Sequence, residues 1–170
     1  MTAAATSARD RRDGPTPGRD LARIAVEAAL DKKAREVTVM DLRGISGEVD
    51  YFVIATAESD LQMKAVVEGI VRTVRDEVGE RPVHREGQAS SNAWIVLDYF
   101  DLAVHVFTPE ARAHYDLERL WGDAPMEVVA EDAETVALLD AADPPASGAT
   151  ADEPAPAADD ATPEADASAA

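Results

Sequence analysis

Five consecutive residues, Tyr51 to Ala55 (YFVIA), include no charged or amide side chain. In an extended chain successive side chains point to opposite faces, so a run without alternation has two faces to hide from water. Such a strand belongs at the centre of a sheet covered on both sides. The rest of the chain supplies the partners and the cover. Val37–Leu42 (VTVMDL) is short, β-branched and ended by two glycines in Arg43-Gly44-Ile45-Ser46-Gly47, which predicts a first strand and a break. Asp20 reads as the N-cap of a helix from Leu21 to about Arg35, with Leu21, Ile24, Ala25 and Ala28 on one face. Ser59-Asp60-Leu61-Gln62 is a capping box opening a helix to about Val78, with Met63, Val66, Val67, Ile70, Val74 and Val78 on one stripe. Gly79 stands where a left-handed cap would end it.

Val83 to Asn92 reads as a polar connection. Trp94–Leu97 and Leu102–Phe107 are apolar runs separated by a tight acidic break, hence an antiparallel hairpin. Thr108 can cap, and Pro109 can begin, a last helix running to Trp121, with Gly122 as its stop. The order helix, two strands, helix, two or more strands, helix predicts a three-layer α/β domain with a mixed β-sheet flanked by helices.

The folded part is expected over residues 19–125. Residues 1–18 are Ala/Thr/Arg/Asp-rich and end in Gly-Pro-Thr-Pro-Gly, which reads as a disordered leader. Residues 126–170 read as an acidic Ala/Asp/Pro-rich tail, mostly disordered, in which Val128–Leu139 is short and weakly helical. Charge follows this division: of the net −18, residues 128–170 hold −11 without one basic side chain, and residues 19–127 hold −8 with both signs mixed. Without clustered Lys and Arg, free DNA is a poor partner, whereas a basic protein surface is a good one. No stretch reaches the roughly 18 apolar residues of a membrane span, the N-terminus lacks a signal-like apolar core, and there is no cysteine. A cytoplasmic protein without membrane contact is expected.

Catalytic constellations are thin. Asp98 and Asp101 bracket the hairpin turn and Asp50 precedes the central strand, so these carboxylates could hold a divalent cation; aspartates in turns also commonly bond their own backbone. Gly44 and Gly47 lack the Lys-Ser/Thr of a phosphate loop. His84, His105 and His114 come from separate segments without ligand spacing. No nucleophile sits at a recognisable elbow. The stronger signal is aromatic. Ala93–Trp121 holds both tryptophans, two of three tyrosines and two of three phenylalanines. Aromatic side chains carry much of the energy of cores and interfaces alike, and an apolar patch ringed by Asp98, Asp101 and Glu118 has the composition of a protein-binding site.

These segments, VTVMDLR, DYFVIATAESDLQ, HREG, AWIVLDYFDLAVHVF and YDLERLWGDA, resemble in order and spacing the ribosomal silencing factor (Iojap) family from about Leu21 to Ala124. The resemblance implies a non-enzymatic translation factor, without cofactor or metal, on a nucleotidyltransferase-like topology stripped of catalytic residues. It implies binding to the large ribosomal subunit, chiefly ribosomal protein fourteen, with minor contact to ribosomal RNA. It further implies a steric block to small-subunit joining under nutrient limitation, and a homodimer when unbound. Carried over by position, the contact motif is Trp94, Asp98, Tyr99, Asp101 and His105, with Tyr115, Leu117, Leu120 and Trp121 in the terminal motif; the division of the last four between core and contact is open. The alternative is a metal-dependent nucleotide-processing enzyme using Asp98 and Asp101.

Two positions depart from the family. Phe100 stands where glycine is usual, and at positive φ it would cost something like 1 kcal/mol; either the turn differs or Phe100 joins the contact patch. Leu61 stands where the family favours an arginine, which puts in doubt any phosphate or acidic contact made there by other members.

Overall fold

The computed structural model describes residues 16–87, 93–133 and 135–140. Its elements are α1 (Gly18–Asp31), β1 (Arg35–Asp41), β2 (Tyr51–Thr56), α2 (Asp60–Val78), β3 (His84–Glu86), β4 (Trp94–Asp98), β5 (Leu102–Phe107), α3 (Pro109–Tyr115), α4 (Leu117–Leu120), β6 (Met126–Val128) and α5 (Ala137–Asp140). The six strands form one mixed sheet in the order β3-β4-β5-β2-β1-β6. Only β2 and β5 run parallel; every other pair is antiparallel. The apolar strand β2 is internal, as its lack of alternation requires.

The sheet has two unlike faces. Tyr51, Val53, Ala55, Ile95, Leu97, Val104 and Val106 point to the side on which α1 and α2 lie, and form one buried cluster with Leu21, Ala25, Val66 and Ile70. We call this the closed face. Residues of opposite parity, Met40, Ile54 and Phe107, form a smaller cluster with Ala111 of α3 and Leu117 of α4. Among the described residues only these two short helices cover that side, which we call the open face.

Local signals account for the helix ends. Ser59 Oγ accepts from the Gln62 N–H at 3.1 Å, while Gln62 Oε1 accepts from the Glu58 N–H at 2.8 Å. Gly79 closes α2 at φ 81°. The Thr108 hydroxyl caps α3, with Pro109 in its first turn.

Several expectations need correcting. Helix α1 starts at Gly18, with Pro17 at the cap, so Asp20 lies in the first turn rather than at the cap. The extra turn is permitted by Gly18, where a Cβ would lie 2.8 Å from Asp101 Cβ. His84–Glu86 is an edge strand on β4 rather than part of a connection; its three side chains are all exposed, so no hydrophobic pattern announces it. The single closing helix is two, broken at Asp116, whose φ is 43°. The domain also continues past residue 125. Strand β6 pairs with β1, Val129, Val136 and Leu139 enter the closed-face cluster, and Glu127 caps α5 by accepting from the Ala137 and Leu138 N–H groups. The leader before residue 16 and the tail after residue 140 lie outside the described residues.

Candidate docking site

The open face is organised by a row of rings. Pairing sets it up: Phe52, Ile54 and Thr56 on β2 stand beside Ala103, His105 and Phe107 on β5, and β4 places Trp94 opposite Phe107 and Val96 opposite His105. The Phe52 ring meets His105 edge-on with centroids 4.6 Å apart, and Trp121 from beyond α4 packs on the far side of Phe52 at 5.8 Å. At the other end Trp94 stacks on Phe107 at 4.9 Å and against Tyr115 of α3 at 4.6 Å. The row therefore runs Trp121, Phe52, His105, Trp94, Tyr115. Such offset and edge-on pairs each add about 0.5–1.5 kcal/mol beyond burial.

His105 is the hinge of the row. The Trp94 indole N–H donates to His105 Nδ1 at 3.2 Å. An indole nitrogen only donates, so Nδ1 must be unprotonated and the ring neutral with its proton on Nε2. Burial reinforces this, pushing the imidazole down to about 4. Nε2 is buried without a hydrogen-bond partner among the described residues. His105 thus sets the tilt of Trp94 from below and offers little surface itself.

Several large apolar side chains reach solvent around this row, as Leu61 of α2 and Val83 do elsewhere. Leu120 is 70% exposed, Tyr115 49% and Phe100 69%, while Val128 and Met126 of β6 are also exposed. Trp94 and Trp121 are half-buried. Asp98 sits half-buried on β4, accepts from the Phe100 N–H at 2.8 Å and has His84 Nδ1 at 3.6 Å; Asp101 is exposed in the turn. Phe100 takes φ 70°, so the turn keeps a glycine-like backbone rather than relaxing to another form.

The α3–α4 elbow is clamped to the sheet by Arg112. Its guanidinium donates to Thr56 Oγ1 at 2.8 Å, to Thr38 Oγ1 at 2.9 Å and to the Glu36 carbonyl, and it pairs with Glu118. Glu36 is the positive-φ residue of an irregular stretch in β1, which turns its carbonyl toward the arginine. Because of the break at Asp116, Tyr115 and Trp121 end at opposite ends of one aromatic row.

Of the residues expected to make contact, the structure groups Trp94, Asp98, Phe100, Asp101, Tyr115, Leu120 and Trp121 on or beside the open face. Tyr99, His105 and Leu117 are corrected: all three are buried. Tyr99, 4% exposed, belongs to the closed-face cluster, because the last residue before the turn has the parity of Leu97. Burial raises its phenol well above the ordinary value. Leu117 packs beneath the elbow with Met40 and Phe107. Sequence reasoning missed Phe52, Met126, Val128 and Arg112. The first three needed the strand register; nothing in the local sequence of Arg112 marks its role.

His84, His105 and His114 are not brought together as a trio, and among the described residues no three or more His, Asp or Glu side chains are arranged to hold a metal ion. No described helix is long and apolar enough to cross a membrane.

Comparison with known proteins agrees with this layout. A profile of the family described as ribosomal silencing factor during starvation matches residues 15–165. The chain is similar to the ribosomal silencing factor of Halalkalibacterium halodurans, 39% identical over 106 residues, covering 62% of this chain and 89% of the relative. It is also similar to that of Bacillus subtilis, 38% identical over 111 residues, covering 64% and 90%. The chloroplastic protein Iojap of Zea mays is 35% identical over 105 residues, covering 60% of this chain and 44% of the plant protein. Among solved structures, a Chromobacterium violaceum protein superposes with TM-score 0.59 at 30% identity, covering 63% of this chain and 88% of its own. A Bacillus halodurans protein superposes with TM-score 0.56 at 32% identity, covering 65% and 99%. Segment order, the mixed sheet flanked by helices and the profile agree, and the chain belongs to the ribosomal silencing factor family.

Proposed function

We propose that this chain represses translation by docking its open face on the large ribosomal subunit, chiefly on ribosomal protein fourteen, and thereby blocking access of the small subunit. The observation that carries this reading is the set of large apolar side chains left in water on one side of the molecule. Leu120, Tyr115, Met126 and Val128 are exposed around half-buried Trp94 and Trp121. A sheet face this rich in rings, covered by only two short helices, is the kind of surface that a protein partner completes. Asp98, Asp101 and the overall charge of −18 suit a basic partner and steer the encounter.

Occlusion needs affinity and position but no chemistry, so the reading assigns no catalytic residue and no cofactor. It also takes the free chain as a homodimer, because a second copy can cover the same apolar side chains; sedimentation equilibrium tests that part separately. The main test is co-sedimentation of the full chain with purified large subunits, followed by light-scattering measurement of subunit joining. Stoichiometric co-sedimentation and inhibited joining are expected. Folded protein that stays in the supernatant and leaves joining unchanged would sink the reading.

A further inference from the structure

We infer that Phe100 is a preset anchor: a phenyl ring held rigidly in water by a strained turn so that it can enter an apolar pocket, rimmed by Lys or Arg, on a protein of the large subunit. This deepens the docking reading and rests on it. Four described non-glycine residues have positive φ: Lys33, Glu36, Phe100 and Asp116. Three are joints of the fold. The Lys33 carbonyl accepts from Gln62 Nε2 at 2.7 Å, the Glu36 carbonyl accepts from Arg112, and Asp116 ends α3 while its carboxylate bonds Arg119. Short acidic side chains also tolerate this backbone region well, whereas a bulky ring there is an outlier.

Phe100 differs in its side chain, the one large apolar group among the four. The tight turn between β4 and β5 demands the left-handed conformation, which glycine would adopt without strain. The ring is 69% exposed, so burial within the chain does not offset the strain. Such an outlier points to function when the surroundings over-determine it, and here they do. The Phe100 N–H donates to Asp98 Oδ1 at 2.8 Å. The Tyr99 N–H donates to the Leu102 carbonyl at 2.8 Å, and the Asp101 carbonyl accepts from the Asp50 and Tyr51 N–H groups, each at 3.0 Å. Tyr99 is buried on one side of Phe100. Gly18 abuts Asp101 on the other, so closely that a Cβ would collide. The ring is therefore presented from a fastened base, and little further ordering of the turn accompanies its insertion.

Position and charge name the partner surface. Ala103, the first open-face residue after the turn, pairs with Phe52, against which Trp121 packs. The turn thus adjoins the Trp121 end of the aromatic row and continues the docking face. Asp98 and Asp101 flank the ring, and no basic residue lies between Trp94 and Phe107 apart from neutral, buried His105. An apolar pocket with a cationic rim is complementary to that arrangement.

The test uses the full chain and purified large subunits, measuring Kd by titration and the thermal midpoint of each variant alone. Phe100→Gly should raise the midpoint by a few degrees and yet weaken Kd at least tenfold. Phe100→Ala should weaken Kd similarly without the same rise, since alanine keeps a Cβ at positive φ. Asp98→Asn with Asp101→Asn should weaken Kd several-fold at low salt and much less at high salt. Kd within twofold of the parent for both Phe100 variants, with Trp121→Ala losing binding, would overturn the anchor and leave the docking reading standing. A midpoint lowered by Phe100→Gly would overturn it too, by showing that the ring supports the fold. If the parent chain does not bind large subunits at all, both readings fall together.

Discussion

The two faces of the sheet are made by the same strands and differ in how they are finished. On the closed face α1 and α2 bury side chains of Val, Ile, Leu and Ala almost completely. On the open face the strands carry Phe52, Trp94, His105 and Phe107, and the cover is an elbow of two short helices. Aliphatic side chains pack densely and present nothing specific; rings bury large areas and, with a histidine, give directional contacts. The first face stores the stability of the domain. The second is a surface that folding leaves incomplete, with its rings ordered in advance and its edge in water. Stability and recognition are thus separated by strand parity, which lets one be altered with limited damage to the other.

That separation can be broken by substitution. The largest effect is expected at Leu97→Ala, on the closed face, which should cost about 4 kcal/mol by removing fully buried atoms and leaving a cavity; urea unfolding measures it. Arg112→Ala should come next, at about 3 kcal/mol, because it strands the Glu118 carboxylate and frees the hydroxyls of Thr38 and Thr56. It should also blur the division, since the elbow carries Tyr115 and Leu120. A lysine at position 112 should not rescue it, for one ammonium cannot span the same acceptors. If Arg112→Lys is as stable as the parent, the elbow is held by packing alone.

Acid should act through the open face. His105 is neutral when folded, with its pKa lowered from 6.5 to about 4 by burial. The unfolded chain takes up a proton below about 6.5 that the folded chain refuses until about 4. Stability contributed by the neutral ring is therefore present above that window and is lost as pH falls through it. Between pH 7 and pH 5 the parent should lose about 2 kcal/mol more than His105→Asn, whose amide oxygen can still accept from Trp94 but does not titrate. Parallel pH profiles for the two proteins would remove His105 from this role. The smallest stability effect is expected at Leu120→Ala, within about 0.5 kcal/mol, together with at least tenfold weaker binding to large subunits. A Leu120 variant that binds normally would move the docking surface away from the elbow.

Much of the fold is legible without coordinates, for local reasons. Ser59 with Gln62, Gly79, and Thr108 with Pro109 mark helix ends because capping is chemistry between near neighbours. The unalternating run in β2 predicts a central strand, and the tight break after Trp94–Leu97 predicts the hairpin. Failures fall where distant groups decide. Strand β3 has no apolar pattern and exists because β4 offers an edge. Strand β6 looks like the start of an acidic tail and α5 only weakly helical, yet Val129, Val136 and Leu139 fill space left beside β1 and α1. Asp116 interrupts an otherwise continuous helical pattern because Arg112 and Glu118 draw the two halves into an elbow.

The candidate site divides the same way. The concentration of rings in Ala93–Trp121, the acidic turn and the exceptional Phe100 are visible by reading alone, as is family membership, because residue type and spacing carry them. Which rings face water is not visible. Tyr99 and Trp94 are equally aromatic and five residues apart, and only the register of β4 against β5 sends one to the core and the other to the open face. Phe52 joins the row through a parallel pairing with Ala103 of β5, far away in sequence, and Arg112 finds its partners on β1 and β2. By itself the sequence determined the elements, their caps and the supply of rings, since those depend on neighbours along the chain. Tertiary structure decided the face each ring occupies, because that choice is made by strands that meet only after the chain has folded.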